Sequence, residues 1–173
     1  MPSSYQAPNR RDAMRGKTFS QSTATNLAKD NSTVQTLLDG KGGDVYSIGP
    51  RETLAQAVTV LSEKRIGALL VTDANGMLQG ILSERDIVRK LAATPGQTLP
   101  QTVEENMTRE VVTCAPNDTL VSVLQKMTKG RFRHMPVVRD EQLCGMVTIG
   151  DVVNHRLREL EHEALQLKQM VVG

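Results

Sequence analysis

The sequence predicts an α+β fold built from two β-α-β-β-α units, with a short helix before them and a long helix after them. Three observations lead to this expectation. The chain repeats itself from Asp44 onward, each copy alternates short apolar strands with an amphipathic helix, and the last helical pattern continues past the second copy. Because a unit of this size has too little core alone, the two copies are expected to pack together.

The two copies align over their whole length. They read DVYSIGPRETLAQAVTVLSEKRIGALLVTDANGMLQGILSERDIVRKLA and EVVTCAPNDTLVSVLQKMTKGRFRHMPVVRDEQLCGMVTIGDVVNHRLREL. In this alignment Pro50 matches Pro116. Matching Val71 to Val138 requires one inserted residue, which we assign to Gly130, and the second hairpin turn then becomes two residues shorter than the first.

Repeat and composition divide the chain into four segments. Residues 1–32 are polar and form an N-terminal extension, whereas residues 33–98 form the first unit and open with a short helix predicted over Thr33–Leu38. Residues 99–160 form the second unit, and residues 161–173 extend its last helix.

The last helix carries an apolar stripe at heptad spacing. Its members are Val153, Leu157, Leu160, Ala164, Leu167 and Val171. Such a stripe fits a helix that lies on its own domain or a helix that pairs across a homodimer. We favour the homodimer, because the stripe is longer than one small domain needs to cover.

Composition narrows the classes of function. Only 2% of residues are aromatic and the net charge is +2, which argues against base stacking and against a nucleic-acid backbone as partner. No apolar run reaches the length of a membrane span. Cys114 and Cys144 match no metal spacing, which predicts buried reduced thiols and a cytoplasmic location. Residues 1–20 fit a short bacterial tail and, more weakly, an organelle transit peptide.

One motif recurs at the strand-to-helix junction of both copies. It reads G-h-h-[S/T]-x-x-D, where h is apolar: GILSERD in the first copy and GMVTIGD in the second. A helix N-terminus offers free N–H groups and partial positive charge, which suit phosphate. The hydroxyl of Ser83 or Thr148 can donate to a phosphate oxygen, and the carboxylate of Asp86 or Asp151 can accept two hydrogen bonds from a ribose diol.

The same residues also make good capping boxes, so each motif taken alone is explained by helix capping. Repetition in register and a basic context favour a ligand. The candidates for phosphate binding are Arg85, Arg131 and Arg133, because arginine binds phosphate in a forked geometry. Nothing near His134 in the sequence forms a catalytic triad with it.

These strings resemble CBS domains, and the pair resembles a Bateman module, over about residues 34–160. The segments IGALLVTD…GILSERDIVRKL and RFRHMPVV…GMVTIGDVV are typical of that family, and the flanking helices resemble stand-alone bacterial CBS-pair proteins. The resemblance implies two units packed by pseudo-twofold symmetry, two clefts that each take an adenosyl group, and dimers that form a flat disc.

The resemblance also implies residue roles. Asp86 and Asp151 hold ribose, and Ser83 and Thr148 approach phosphate. Adenine is implied to lie against two stretches of each copy: Tyr46, Ser47, Ile48, Gly67 and Ala68 in the first, and Thr113, Ala115, His134, Met135 and Pro136 in the second. Since the copies differ here, the clefts are expected to prefer different ligands or to be two ends of one dinucleotide pocket.

The expected function is regulatory. The module binds AMP, ATP or NAD(H), senses energy or redox state, and acts through an unidentified partner protein. No catalytic cofactor and no enzymatic activity are expected, because the sequence shows no P-loop and no metal cluster. The alternatives are a nucleotide-processing enzyme and an RNA-binding CBS protein, the latter using Arg10, Arg11, Arg15, Lys17 and the Arg131–Arg133 patch.

Overall fold

The structure, a computed structural model, describes residues 32–172. In this range it contains α1 (Val34–Lys41), β1 (Ser47–Ile48), α2 (Leu54–Lys64), β2 (Ala68–Thr72), β3 (Leu78–Ser83), α3 (Glu84–Ala93), α4 (Val103–Asn106), α5 (Leu120–Gly130), β4 (His134–Arg139), β5 (Gln142–Thr148) and α6 (Ile149–Val172). This order confirms the predicted α+β class. The expectations for the N-terminal extension, including its four basic residues, lie outside the described residues.

The first unit is a three-stranded sheet covered by α2. β1 is parallel to β2, and β2 is antiparallel to β3. Thr53 caps α2 through a capping box with Gln56, and the helix turns Leu54 and Leu61 onto the buried face of the sheet. Val58 on the same helix is 38% exposed.

The second unit keeps the same plan with a reduced first strand. β4 and β5 form an antiparallel hairpin. In place of a first strand, the second unit has only a parallel bridge between Cys114 and Val137. Burial raises the pKa of the Cys114 thiol to about 12, so this thiol stays protonated at neutral pH. Cys144 is half-buried, and both cysteines are free.

Strand pairing corrects the alignment of the two copies. Val71 pairs with Gly80 and Val137 pairs with Gly145, and a bulge follows each pair. Val71 therefore corresponds to Val137 and not to Val138, and the second hairpin turn is one residue shorter, not two. The adjacent Val137 and Val138 made the alignment of the sequences ambiguous, and the pairing of Val137 with Gly145 resolves it.

The helices agree with this correction. α2 and α5 each have 11 residues, and each ends at an arginine in the left-handed conformation, Arg65 and Arg131. Gly130 is therefore not an insertion. The carbonyls of Gly67 and Arg133 both accept the first N–H of the helix that follows the hairpin, so Arg133 corresponds to Gly67.

The helix that precedes each unit in the sequence packs on the other unit. Val34 N–H donates to Asp118 O at 2.9 Å, which joins α1 to the second unit. Val103 N–H donates to Glu52 O at 2.8 Å, which joins α4 to the first. Chain order groups residues 33–98 together, but the packing places the apolar face of α1 in the core of the second unit.

The glycine that opens each repeated motif allows this exchange. A Cβ at Gly80 would lie 2.6 Å from Met107 Sδ and 2.9 Å from Thr108 O, and a Cβ at Gly145 would lie 2.8 Å from Leu38 Cδ2. Both strands therefore need glycine where the exchanged segment crosses them.

The last helix extends beyond the body of the molecule. Its side chains are exposed from residue 160 through residue 171. The heptad stripe does not cover its own domain, since Leu157 is 53% exposed and Leu167 is 64% exposed. None of the helices in the described part of the chain is long and apolar enough to cross a membrane.

Candidate functional site

A cavity of about 320 Å³ lies between the two units. We call it the first cleft. Its wall is formed by residues of both units: Gly67, Ile81, Ser83, Glu84, Arg85, Asp86, Arg89, Thr108, Glu110, Val111, Val112, Arg131, Phe132, Arg133 and His134. The volume is in the range of small-molecule sites.

The first copy of the motif forms one wall of this cleft through a capping box. Ser83 Oγ accepts the Asp86 N–H at 3.3 Å, and Asp86 Oδ2 accepts hydrogen bonds from Ser83 N at 3.2 Å and Ser83 Oγ at 2.5 Å. The capping role inferred from the sequence is therefore real. It uses one carboxylate oxygen, and no hydrogen bond from the described residues reaches Asp86 Oδ1. The cap thus holds a carboxylate at the cleft wall with one oxygen available.

Four arginines line the same cavity as the carboxylate. Arg85 and Arg89 project from successive turns of α3, and Arg131 and Arg133 come from the second unit. All four are exposed, and none forms an ion pair with residues 32–172. The lining also holds the carboxylates of Glu84, Asp86 and Glu110, so the cleft carries a small excess of positive charge, and its guanidinium groups suit phosphate. Arg89 was missed in the sequence, although its four-residue spacing from Arg85 could have indicated it.

His134 and Gly67 meet at the boundary between the two copies. A Cβ at Gly67 would lie 3.2 Å from His134 Cε1 and 4.0 Å from Glu84 Oε2. Burial lowers the pKa of His134, while Asp151 and Glu84 oppose this effect. Burial therefore favours the neutral imidazole, and an added anion in the cleft would act in the opposite direction, as Asp151 and Glu84 do.

The second copy of the motif has a different environment, which we call the second cleft. Asp151 Oδ2 accepts the Thr148 N–H at 2.9 Å, and Thr148 Oγ1 accepts the Asp151 N–H at 3.1 Å, so this motif is also a capping box. In addition, Lys41 Nζ donates to Asp151 Oδ2 and to Met146 O, each at 2.6 Å. Burial works against ionisation, but the bonds from Lys41 and Thr148 outweigh it and lower the pKa of Asp151.

Seven of the sequence-predicted residues meet in the first cleft: Gly67, Ser83, Arg85, Asp86, Arg131, Arg133 and His134. Thr148 and Asp151 do not line it. Other predicted residues belong to strands or to their edges, where Ala68, Met135 and Pro136 are buried and Thr113 and Ala115 are exposed. The side chains of Ile48 and Met135 lie in the two cores, and Tyr46 packs under Lys64 at 5.6 Å.

The segment that leads into the second copy, residues 108–112, was not predicted as part of the site. Thr108, Glu110, Val111 and Val112 line the first cleft. Thr108 pairs with Ile81 along the edge of β3, with N···O distances of 2.9 and 3.0 Å. This segment reaches the cleft because Thr108 pairs with Ile81, a residue far away in the sequence. No local motif indicates such a pairing.

A family model described as CBS domain matches this chain twice, at residues 43–93 and 102–158. The chain is also 30% identical over 152 residues to the CBS domain-containing protein CBSX3, mitochondrial, of Arabidopsis thaliana, a match that covers 83% of this chain and 74% of that protein. Other relatives are much longer, and the match covers only 20% of the A. thaliana protein CBSCBSPB5.

Solved structures share this fold. The CBS-domain containing protein ATU1752 from Agrobacterium tumefaciens is 42% identical with a TM-score of 0.71, and the match covers 74% of this chain and 96% of that one. The CBS domain pair of protein MJ0100 is 26% identical with a TM-score of 0.65, over 74% of this chain and 98% of that one. The latter was solved in complex with 5-methylthioadenosine and S-adenosyl-L-methionine.

Proposed function

Because the chain belongs to the CBS domain family as a tandem pair of such domains, we propose that it is a regulatory module that binds an adenine nucleotide in the first cleft. One observation carries this proposal: the capped carboxylate of Asp86 faces Arg131 and Arg133 of the other unit across one cavity of about 320 Å³. A carboxylate and several arginines around one cavity match the two ends of a nucleotide, the ribose diol and the phosphates.

The proposed ligand position follows the chemistry of the walls. Asp86 Oδ1 accepts hydrogen bonds from the ribose hydroxyls, and the arginines bind the phosphates. Val111 and Val112 provide apolar surface for the base. The complex of MJ0100 with two adenosine derivatives supports an adenosyl group as the shared part. Among AMP, ATP and NAD(H), four arginines favour a ligand with more than one phosphate, and ATP fits this best.

Binding at this position links the two units. A nucleotide would contact α3 of the first unit and the α5–β4 connection of the second, so its binding energy biases their relative arrangement. We propose that this change is transmitted to a partner protein, and that the role of the module is binding and not catalysis. The two free cysteines favour a reducing compartment such as the cytoplasm.

We further propose that α6 pairs with α6 of a second copy. The exposed stripe places Leu157, Ala164 and Val171 at a positions of the heptad and Leu160 and Leu167 at d positions. In a parallel, in-register pair, the g residue Glu163 then faces the e residue Lys168 of the partner helix. This charge complementarity favours a parallel homodimer over another occupant.

Isothermal titration calorimetry with ATP, AMP and NADH tests the nucleotide proposal. Asp86→Asn keeps an oxygen for the cap but removes the negative charge, so it should weaken binding at least tenfold while the fold remains intact. The matched control is Glu105→Gln, because Glu105 closes a capping box with Thr102 on α4 and does not line the cleft. Equal affinities for wild type and Asp86→Asn would refute the assigned role of this carboxylate.

A further inference from the structure

The corrected register shows that the two clefts are chemically unequal. Ser83 and Asp86 correspond to Thr148 and Asp151, since Ser83 pairs with Ala68 as Thr148 pairs with His134. Three of the four arginines are not repeated, and the fourth, Arg131, corresponds to Arg65. On the same register, the counterparts of Arg85, Arg89 and Arg133 are Gly150, Asn154 and Gly67. The second cleft therefore keeps the ribose carboxylate but lacks most of the phosphate-binding side chains.

Lys41 fills part of the second cleft. Leu38 packs on Gly145 and fixes α1 against β5, and Lys41 lies at the end of that helix, close to one turn further on. Its ammonium bridges Asp151 Oδ2 and the Met146 carbonyl, each at 2.6 Å. In the first unit the matching carbonyl, that of Ile81, instead accepts the backbone N–H of Thr108 at 2.9 Å. A side-chain cation thus occupies a position that a backbone amide holds in the other half.

We infer that Lys41 closes the second cleft to nucleotide, so that each chain binds one nucleotide, in the first cleft. This inference rests on the proposed function. The cap and Lys41 both bond to Asp151 Oδ2, so Lys41 does not occupy Oδ1. A ribose diol that reached this carboxylate would instead have to displace, or pack beside, an ammonium that is already paired with it. The ion pair is partly exposed, with side-chain exposures of 31% for Lys41 and 25% for Asp151. Neutral hydroxyls bind a carboxylate more weakly than an ammonium does.

The two clefts offer matched reporters for a direct test. The Asp86 N–H is bonded to Ser83 Oγ and the Asp151 N–H to Thr148 Oγ1, so each amide resonance reports on its own cleft. We propose to titrate ¹⁵N-labelled protein with AMP and with adenosine, which lacks phosphate. In the wild type, the Asp86 resonance and its neighbours should shift and the Asp151 resonance should not.

The variant Lys41→Met removes the ammonium and keeps the apolar part of the side chain. With this variant both resonances should shift, and calorimetry should give two sites per chain in place of one. Lys126→Met is the matched control, because it removes an ion pair with Asp118 in the same unit, away from Asp151. It should behave as the wild type does.

The outcomes separate the two proposals. A shift at Asp86 alone in both the wild type and folded Lys41→Met overturns the role of Lys41 and leaves the proposed function in place. Shifts at both residues in the wild type also overturn it, since Lys41 would then move aside for the ligand. If neither ligand shifts either residue in any of the three proteins, the nucleotide proposal fails and the inference fails with it.

Discussion

Gly67 and His134 meet across the two units, and the approach is so close that a Cβ on Gly67 would lie 3.2 Å from His134 Cε1 and 3.3 Å from His134 Nε2. Gly67 directly precedes β2 of the first copy, and His134 begins β4 of the second. Both residues line the first cleft. The imidazole is therefore placed where it senses both the packing of the two units and the charge of a ligand.

The pKa of His134 should respond to nucleotide. Burial lowers this pKa, Asp151 and Glu84 raise it, and Arg133 and Lys41 lower it. A bound phosphate adds negative charge, so the pKa of His134 should rise on binding and affinity should increase as the pH falls through the titration range of His134. The titration of the His134 ring signal by NMR, with and without AMP, measures this. His162 on the exposed part of α6 serves as the internal control.

The lowered pKa of His134 also predicts how the stability of the fold changes with pH. Since the folded state lowers the pKa of His134, the unfolded chain takes up a proton first as the pH falls below about 6.5. This contribution to stability is present above that pH and is lost below it. His134→Gln should reduce the loss of melting temperature between neutral and mildly acidic pH, and an unchanged profile would contradict the buried, neutral imidazole.

Arg131→Gly should stabilise the fold and weaken nucleotide binding. Arg131 ends α5 with φ of 57°, a conformation in which a non-glycine residue costs about 1 kcal/mol. Glycine should therefore raise the free energy of unfolding while nucleotide affinity falls, because the guanidinium is lost. Arg65→Gly is the matched control, since Arg65 caps α2 with φ of 52° but does not line the first cleft. A pair of variants with equal affinities would show that Arg131 is only a cap.

The motif glycines should differ in their tolerance of a side chain. At Gly80 a Cβ meets the backbone oxygen of Thr108 at 2.9 Å, whereas at Gly145 it meets the movable end of Leu38. Gly80→Ala should therefore cost about 1–3 kcal/mol in the free energy of unfolding, and Gly145→Ala should cost less. Chemical denaturation of both variants measures the difference, and a larger loss at Gly145 would contradict the proposed packing.

The α6 helices should cross-link in a parallel arrangement. Leu167 lies at a d position near the end of the exposed segment, so Leu167→Cys should form an intermolecular disulfide in a parallel, in-register pair. Gln166→Cys, one position earlier and off the stripe, is the control and should cross-link much less. Equal cross-linking, or a monomer by light scattering in the wild type, would argue against the pairing.

The sequence predicted the fold class and seven of the fifteen residues that line the first cleft, because the repeat placed the same polar pattern at two strand-to-helix junctions beside a basic segment. Ser83, Asp86, Arg131 and Arg133 could be identified in this way. The sequence also predicted that the same residues cap the helices, and both capping boxes are present in the structure.

Other parts of the site depend on contacts between distant segments. The register of the second copy was ambiguous until Gly145 was paired with Val137. The segment around Thr108 reaches the cleft by pairing with Ile81, and Lys41 reaches Asp151 because α1 packs on the second unit. None of these contacts leaves a local signal, so a single sequence does not reveal them.

The thermal stability of the purified protein with and without saturating nucleotide tests whether the first cleft binds an adenine nucleotide. A ligand at about 100 times its Kd should raise the free energy of unfolding by about 2.7 kcal/mol, and the melting temperature should rise with ATP or another adenine nucleotide. At the same ligand concentration, a tenfold loss of affinity in Asp86→Asn should reduce this stabilisation to about 1.4 kcal/mol, whereas Glu105→Gln should keep it. If AMP, ATP and NADH all leave the wild-type melting temperature unchanged, the first cleft is not a site for adenine nucleotides.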